Sequence, residues 1–190
     1  MTHSGAFTLI ELMVVLAIMA ILITVGIPGY QTFVLNNQLT AQSNDFIASL
    51  RYARSEAIKR GQHVAMCKSQ ADASGNRNAC DGTGWEDGWI VYIDTNNNSA
   101  LDFDKGEQIV RAHDALNANF TLRGNTNVAT TIVYEGNGSL AGFPGTVVLC
   151  NRNEGFGPYS KAIVINNNGS ERVIAHDDST LPEGVNSCEP

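Results

Sequence analysis

The run FTLIELMVVLAIMAILITVGI, residues 7–27, carries a single ionisable side chain, Glu11. Wound as an α-helix, this run rises roughly 31 Å, enough to cross the hydrocarbon of a bilayer. A carboxylate inside such a helix costs about 2.5–3.5 kcal/mol at mid-span and is usually there for a function. Glu11 sits in the first turn, where unpaired backbone N–H groups favour negative charge and offset part of that cost. A positive partner from another chain would complete the compensation, and an N-terminal ammonium has the right chemistry. A secretory signal peptide fits poorly. It would have a basic leading segment, a shorter apolar core and an A-x-A-like cleavage site, whereas Ile27 is followed by Pro28, Gly29, Tyr30 and Gln31.

The stretch GAFTLIELMVVLAIMAIL, residues 5–22, resembles the class III signal of type IV pilins and type II secretion pseudopilins. The resemblance implies cleavage between Ala6 and Phe7, N-methylation of Phe7, and Glu11 as the assembly carboxylate. Pro28 matches the proline that pilins carry at the end of the membrane segment. Ala6 stands where that family nearly always has Gly; cutting after Gly5 instead would move Glu11 from fifth to sixth in the mature chain. The leader, residues 1–6, has no Lys or Arg, so its amine and His3 hold it on the cytoplasmic side.

A chain of 190 residues accommodates one membrane helix and one soluble domain large enough to bury a core. Abundant Gly and Asn favour turns and short strands in that domain. Cys67, Cys80, Cys150 and Cys188 all follow the membrane run, which reads as disulfides in an oxidising compartment. Of three possible pairings, we expect Cys67–Cys80 to staple a short loop and Cys150–Cys188 to tether the C-terminal tail. Each adds roughly 2–4 kcal/mol. A zinc site of four thiolates lacks any C-x-x-C pair. The formal charge of −7 repels polyanions at long range and argues against a nucleic-acid role.

Beyond Pro28 helical spacing resumes, and Phe46, Ile47, Leu50, Ala53, Ala57 and Ile58 form one apolar stripe. Lys59, Arg60 and Gly61 then supply a helix stop. Pro28 is expected to kink this helix rather than end it. Arg54, Glu56 and Arg60 are expected to face water. From His63 the period changes. Residues 63–68, 88–94, 108–113, 119–123, 131–134, 146–151, 161–166 and 171–176 read as short strands between Gly, Asn and Asp turns. The expected class is α+β. A leader (1–6) precedes an N-terminal helix (7–60, with 7–27 transmembrane) packed on an antiparallel β-sheet domain (61–190).

ARSEAIKRG at residues 53–61, a strand containing Cys67, and GWIVYID at residues 88–94 resemble the GspH/FimT/FimU family of minor pilins. That resemblance implies a structural subunit that helps initiate or cap a type IV pilus. Its partners would be major and minor pilins, prepilin peptidase and the inner-membrane assembly machinery, with no cofactor. It implies an inner-membrane, single-pass chain with a periplasmic C-terminal domain, later built into the filament. An H-type pseudopilin of type II secretion is the alternative within the class, and a DNA-binding minor pilin for natural transformation the alternative outside it.

Three constellations carry side chains suited to chemistry. Asp94, Asn96, Asn98 and Asp102 follow the alternate-oxygen spacing of calcium loops, but Ser99 replaces the turn Gly and Lys105 the bidentate Glu. A polar hairpin loop is the expected reading. The stretch Gly169-Ser170-Glu171-Arg172 resembles the Gly-Arg-x-Arg motif by which some family members bind DNA. Arg172 beside Glu171 supplies little phosphate neutralisation. His63, His113 and His176 are scattered and no catalytic motif occurs, so no enzyme is expected. Matches to N-x-S/T, such as Asn137-Gly138-Ser139, are expected by chance in an Asn-rich chain. Trp85 and Trp89 are expected to pack in the core.

Overall fold

A 52-residue helix, α1 (Leu9–Arg60), begins the fold. The computed structural model describes residues 8–182 and 185–190, and the chain divides into two units, residues 1–38 and 39–190. Between Leu9 and Ile27, Glu11 and Thr24 apart, α1 is apolar in sequence all round, with Leu12, Leu16, Ile18 and Ile23 all exposed. A helix apolar all round is suited to lipid, and this one is long and apolar enough to cross a membrane. The Thr24 hydroxyl donates to the carbonyls of Ala20 and Ile21 at 3.0 and 2.9 Å, so it needs no water. Helical structure continues through position 28, so Pro28 does not end α1. The Pro28 side chain lies outside the described residues.

In the second unit one stripe of α1 enters the core. Leu39, Phe46, Leu50, Ala53 and Ala57 are buried, and the two alanines let the backbone come close to its neighbours. Ile58, expected in the same stripe, is instead 53% exposed. It lies one position past Ala57, 100° further round the helix, beyond the edge of the packed face.

Two four-stranded antiparallel sheets pack around this helix. The first has the order β3-β2-β1-β5, built from β1 (His63–Lys68), β2 (Trp89–Asp94), β3 (Ile109–His113) and β5 (Thr131–Tyr134). The second has the order β4-β6-β7-β8, from β4 (Phe120–Gly124), β6 (Gly145–Asn151), β7 (Gly155–Ile165) and β8 (Glu171–Ala175). The Phe46 ring meets Trp85 and Trp89 edge-on, with centroids 5.4 and 5.2 Å away. Each such pair adds about 0.5–1.5 kcal/mol beyond its buried area. Trp85 donates its indole N–H to Val128 O at 2.9 Å. On the other side of α1, Lys161 of β7 donates to the Thr40 hydroxyl at 2.9 Å and Glu171 of β8 pairs with Arg51.

β7 starts six residues before the predicted strand. The expected strand starts at Lys161, past Gly155, Gly157 and Pro158, and the ladder is interrupted in that stretch. Cys150 pairs with Ser160 but Asn151 with Gly155, which leaves residues 156–159 outside the register. Pro158, which has no N–H to offer, falls in that unpaired section.

Cys67 is joined to Cys80 and Cys150 to Cys188, with Cα atoms 5.5 and 5.8 Å apart. The second bridge holds the tail against the outer face of the second sheet. There Leu181 and Val185 pack with Val148, Ala162 and Ile174.

Arg54 joins the two sheets. Its guanidinium donates to Gly138 O at 2.9 Å and to Asn168 O at 2.7 Å. Those carbonyls belong to two turns with the same Asn-Gly-Ser sequence, residues 137–139 after β5 and 168–170 before β8. In both, the Ser N–H and hydroxyl donate to the Asn side chain and the Gly has positive φ. The turns also touch directly, as Leu140 N–H donates to Asn167 O at 2.9 Å. Arg54 therefore does not face water as expected. Glu56 does not either. It is 8% exposed and accepts from Arg60 at 2.7 Å and Lys59 at 3.4 Å.

A Cβ at Gly169 would lie 2.1 Å from Gly138 O, at φ +73°. We expect Gly169→Ala to cost about 3 kcal/mol or more, strain and clash combined. Gly75→Ala, at φ +82° with open space around it, should cost only about 1–2 kcal/mol. Arg54→Ala, which strips a charged donor from two carbonyls, should cost about 2 kcal/mol. Thermal unfolding of the three variants beside the parent checks the ranking.

Candidate assembly site

Thr8 precedes α1 and caps it. Its side-chain oxygen accepts the Glu11 N–H at 3.3 Å, and its carbonyl accepts the Leu12 N–H at 3.2 Å. Glu11 thus occupies the third helical position, three residues after a threonine cap. Thr8-x-x-Glu11 is the spacing of a capping box. The apolar run alone does not point to Thr8, although a Thr-x-x-Glu ahead of such a run is a signal available in the sequence. Glu11 is exposed among exposed Leu9, Ile10, Leu12 and Val15. A carboxylate so placed has an apolar collar and a positive helix end behind it. That collar excludes water once the helix is surrounded by lipid or by like helices, and a cation is then the favoured neighbour. Ala6 and Phe7, the expected processing residues, lie outside the described residues.

The loop between β2 and β3 has its own internal logic. Both Asp94 carboxylate oxygens accept backbone N–H groups, from Asn98 at 3.2 Å and Ser99 at 2.9 Å. The Asn96 and Asn98 side-chain oxygens accept the N–H groups of Asn98 and Ala100, which turns both amide nitrogens onto Asp102 at 3.0 and 2.7 Å. Glu107, 2% exposed, accepts the N–H groups of Thr95 and Asp102 at 3.0 and 2.8 Å. The oxygens of Asp94, Asn96, Asn98 and Asp102 are therefore turned to the loop's own N–H groups, and among the described residues no group of three or more His, Cys, Asp or Glu converges on a metal position. Asn97 and Ser99 take positive φ, so Ser99 adopts the left-handed turn for which a glycine was expected.

Arg172 is exposed on β8. Its neighbour Glu171 turns the other way to meet Arg51. The charge of Arg172 is felt by Asp178, whose carboxyl is held below its ordinary range first by hydrogen bonds from Thr180 and then by Arg172. Trp85 and Trp89 are fully buried, and His113 stacks on Trp89 with centroids 4.0 Å apart, as core residues do.

A family model described as "Type II transport protein GspH" matches residues 42–169. The chain belongs to the GspH family. A second model, the prokaryotic N-terminal methylation motif, matches residues 1–27 of this GspH-family chain. A fimbrial protein of Pseudomonas aeruginosa is 36% identical over 72 residues, which is 38% of this chain and 46% of that protein. The GspH-family chain thus spans about half the length of the curated relatives it matches. Among solved structures, the type IV minor pilin FimU of Pseudomonas aeruginosa superposes with a TM-score of 0.59 at 20% identity, covering 82% of this chain and 98% of FimU. A second crystal form of FimU gives 0.55 at 18% identity, covering 78% and 98%. The fold of this chain is that of FimU: a long N-terminal helix packed on antiparallel sheet.

Several carboxylates of the domain titrate below their ordinary range. Asp102 is held down by the Asn98 and Asn96 amides, and Glu56 chiefly by Arg60, against the upward push of burial. At Asp87 burial pushes upward, but hydrogen bonds from Thr83 and Gly84, with Arg123 nearby, outweigh it. A lowered folded-state pKa stabilises above the unfolded value, about 4, and the gain is lost as pH falls through the folded-state value. Melting temperature should therefore hold from pH 7 to about pH 5 and drop below about pH 4. Asp87→Asn should flatten that acid slope, read from melting curves across pH.

Proposed function

We propose that this chain is a minor pilin of a type IV pilus. In this reading it enters the inner membrane as a single-pass prepilin, is cut between Ala6 and Phe7, and is methylated at Phe7. Residues 61–190 stand in the periplasm until the chain joins other pilins in the filament, where it helps initiate or cap assembly. One observation carries the reading: a helix apolar on every side whose first turn holds Glu11 behind the Thr8 cap. Leaving lipid for a bundle of like helices keeps those side chains dry. Within the bundle Glu11 meets the Phe7 amine of a neighbouring subunit, a pair that is weak in water and strong where water is excluded. Prepilin peptidase and the inner-membrane assembly machinery are the expected transient partners. The fimbrial relative supports the pilus side of the family.

The description of the matching family model, a type II transport protein, supports a second reading as an H-type pseudopilin of secretion. A DNA-binding role finds less support, since Arg172 stands alone near Asp178. No catalytic role is assigned.

Replacing Glu11 by Ala should leave membrane insertion intact and lower the amount of this chain in sheared pili by about a hundredfold or more, since an unpaired neighbour in a dry site costs about 3–5 kcal/mol. Immunoblots of membrane and pilus fractions check it, and wild-type amounts in pili would overturn the mechanism. Mass spectrometry of the mature chain should find N-methylated Phe7 at its start. Deleting the gene should abolish or shorten pili and spare protein secretion; the converse would establish the pseudopilin reading.

A further inference from the structure

Three of the four sheet edges are closed by the chain itself. On β4 the Leu122 N–H, which alternation turns away from β6, donates to the buried Glu86 carboxylate at 3.2 Å. On β5 the Val133 carbonyl accepts the Ala141 N–H at 2.9 Å. β3 is bulged against β2, and Val110 O in β3 accepts the Tyr52 hydroxyl at 3.4 Å. Bulged and covered edges keep foreign strands away.

β8 has no such cover. The Asn166 N–H donates to Ser170 O at 2.9 Å and sets the phase of the β7–β8 ladder. Arg172 and Ile174 therefore turn their main-chain groups to β7, while Glu171 and Val173 turn theirs outward. Among the described residues, no group bonds to the main chain of Glu171 or Val173 on that outward side. The Val173 side chain, 40% exposed, shares with Glu171 the face toward α1.

Beside this edge runs an exposed flank of α1. Ile58, 53% exposed, lies in a shallow groove with Arg51, Ser55, Lys59 and Glu171. The Arg51 and Lys59 side chains are 69% and 71% exposed. Arg51, Arg54, Lys59 and Arg60 face only two carboxylates there, Glu56 and Glu171. That cationic excess stands out in a chain of net charge −7. An open row of main-chain groups takes a strand, an apolar floor takes a large side chain, and a cationic rim takes carboxylates. We propose that an extended segment of a different subunit of the filament adds to the edge of β8. It lays an apolar side chain over Ile58 and Val173 and turns a carboxylate to Arg51 or Lys59.

A second copy of this chain does not suit the site. Pairing two β8 edges would set one cationic rim against the other. With the other three edges closed, strand addition stops after one step, as befits a subunit that starts or caps a filament; the inference rests on that reading. A five-residue edge binds weakly alone. Membrane helices held side by side supply the missing affinity through high effective concentration.

The test uses the full chain in piliated cells, with benzoylphenylalanine in place of Ile58. Irradiation should join this chain to a different pilin, and mass spectrometry should place the bond in a segment with an apolar residue flanked by Asp or Glu. Val173→Pro removes an outward N–H and spares the β7 ladder, so the chain should fold while the adduct falls about fivefold or more. Lys59→Glu should lower the yield by a similar factor. Intact disulfides on a non-reducing gel show that each variant has folded. An adduct with a second copy or with lipid, or no adduct, in a chain that still enters pili would overturn the strand addition and leave the pilin function standing. So would a yield that either substitution leaves unchanged. The expected adduct with a pseudopilin, in a chain absent from pili, would uphold the strand addition and remove the pilus reading.

Discussion

Burial of one stripe of α1 organises the domain. Phe46 enters between Trp85 and Trp89, and Ala53 and Ala57 leave room for strands on either side. A helix this long has no core of its own, and most helical stability comes from packing an apolar face. Its second half therefore needs the two sheets, and each sheet needs the helix to cover its inner face. Neither sheet stands alone: Arg51, Arg54 and Thr40 contact β8, two turns and β7 from one side, while Tyr52 reaches Val110 O in β3 from the other.

The same helix meets two solvents along its length. Its first half is apolar all round and its second is amphipathic, and the change falls near the division between the two units at residue 38. Glu11 is the exception in the apolar half, and it sits in a helix start that Thr8 caps. The match to the N-terminal methylation motif and membership of the GspH family fit a helix whose first half is apolar and whose second half packs on sheet.

Much of this architecture was readable because period and composition change together. The switch from helical spacing to alternation after Gly61 marks β1 to the residue, and Trp89, Val91 and Ile93 mark β2. Reading failed where a local rule was overridden by a tertiary contact. Arg54 and Glu56 are polar residues on a helix and belong in water by default, but one answers two turn carbonyls and the other is covered with Arg60 as its partner. β7 runs beyond its alternating part, because Pro158 and its glycines break the pattern and a one-sided break in register is invisible in a single strand's sequence. Ile58 was misplaced by one position, since an apolar residue beside the stripe and one inside it have nearly the same spacing. Asn137-Gly138-Ser139 carries no weight as an N-x-S/T match, and the shared role of the two Asn-Gly-Ser turns emerges only when both are seen against one guanidinium.

Arg54 recognises those turns through main-chain oxygens alone. Any residue supplies such an oxygen, so Arg54 fixes the path of the turns, while their glycines are fixed separately by positive φ and close approach. Loop length is held as well. An insertion or deletion in either turn would carry its carbonyl out of reach of Arg54, so relatives of this fold should keep the length of both corners.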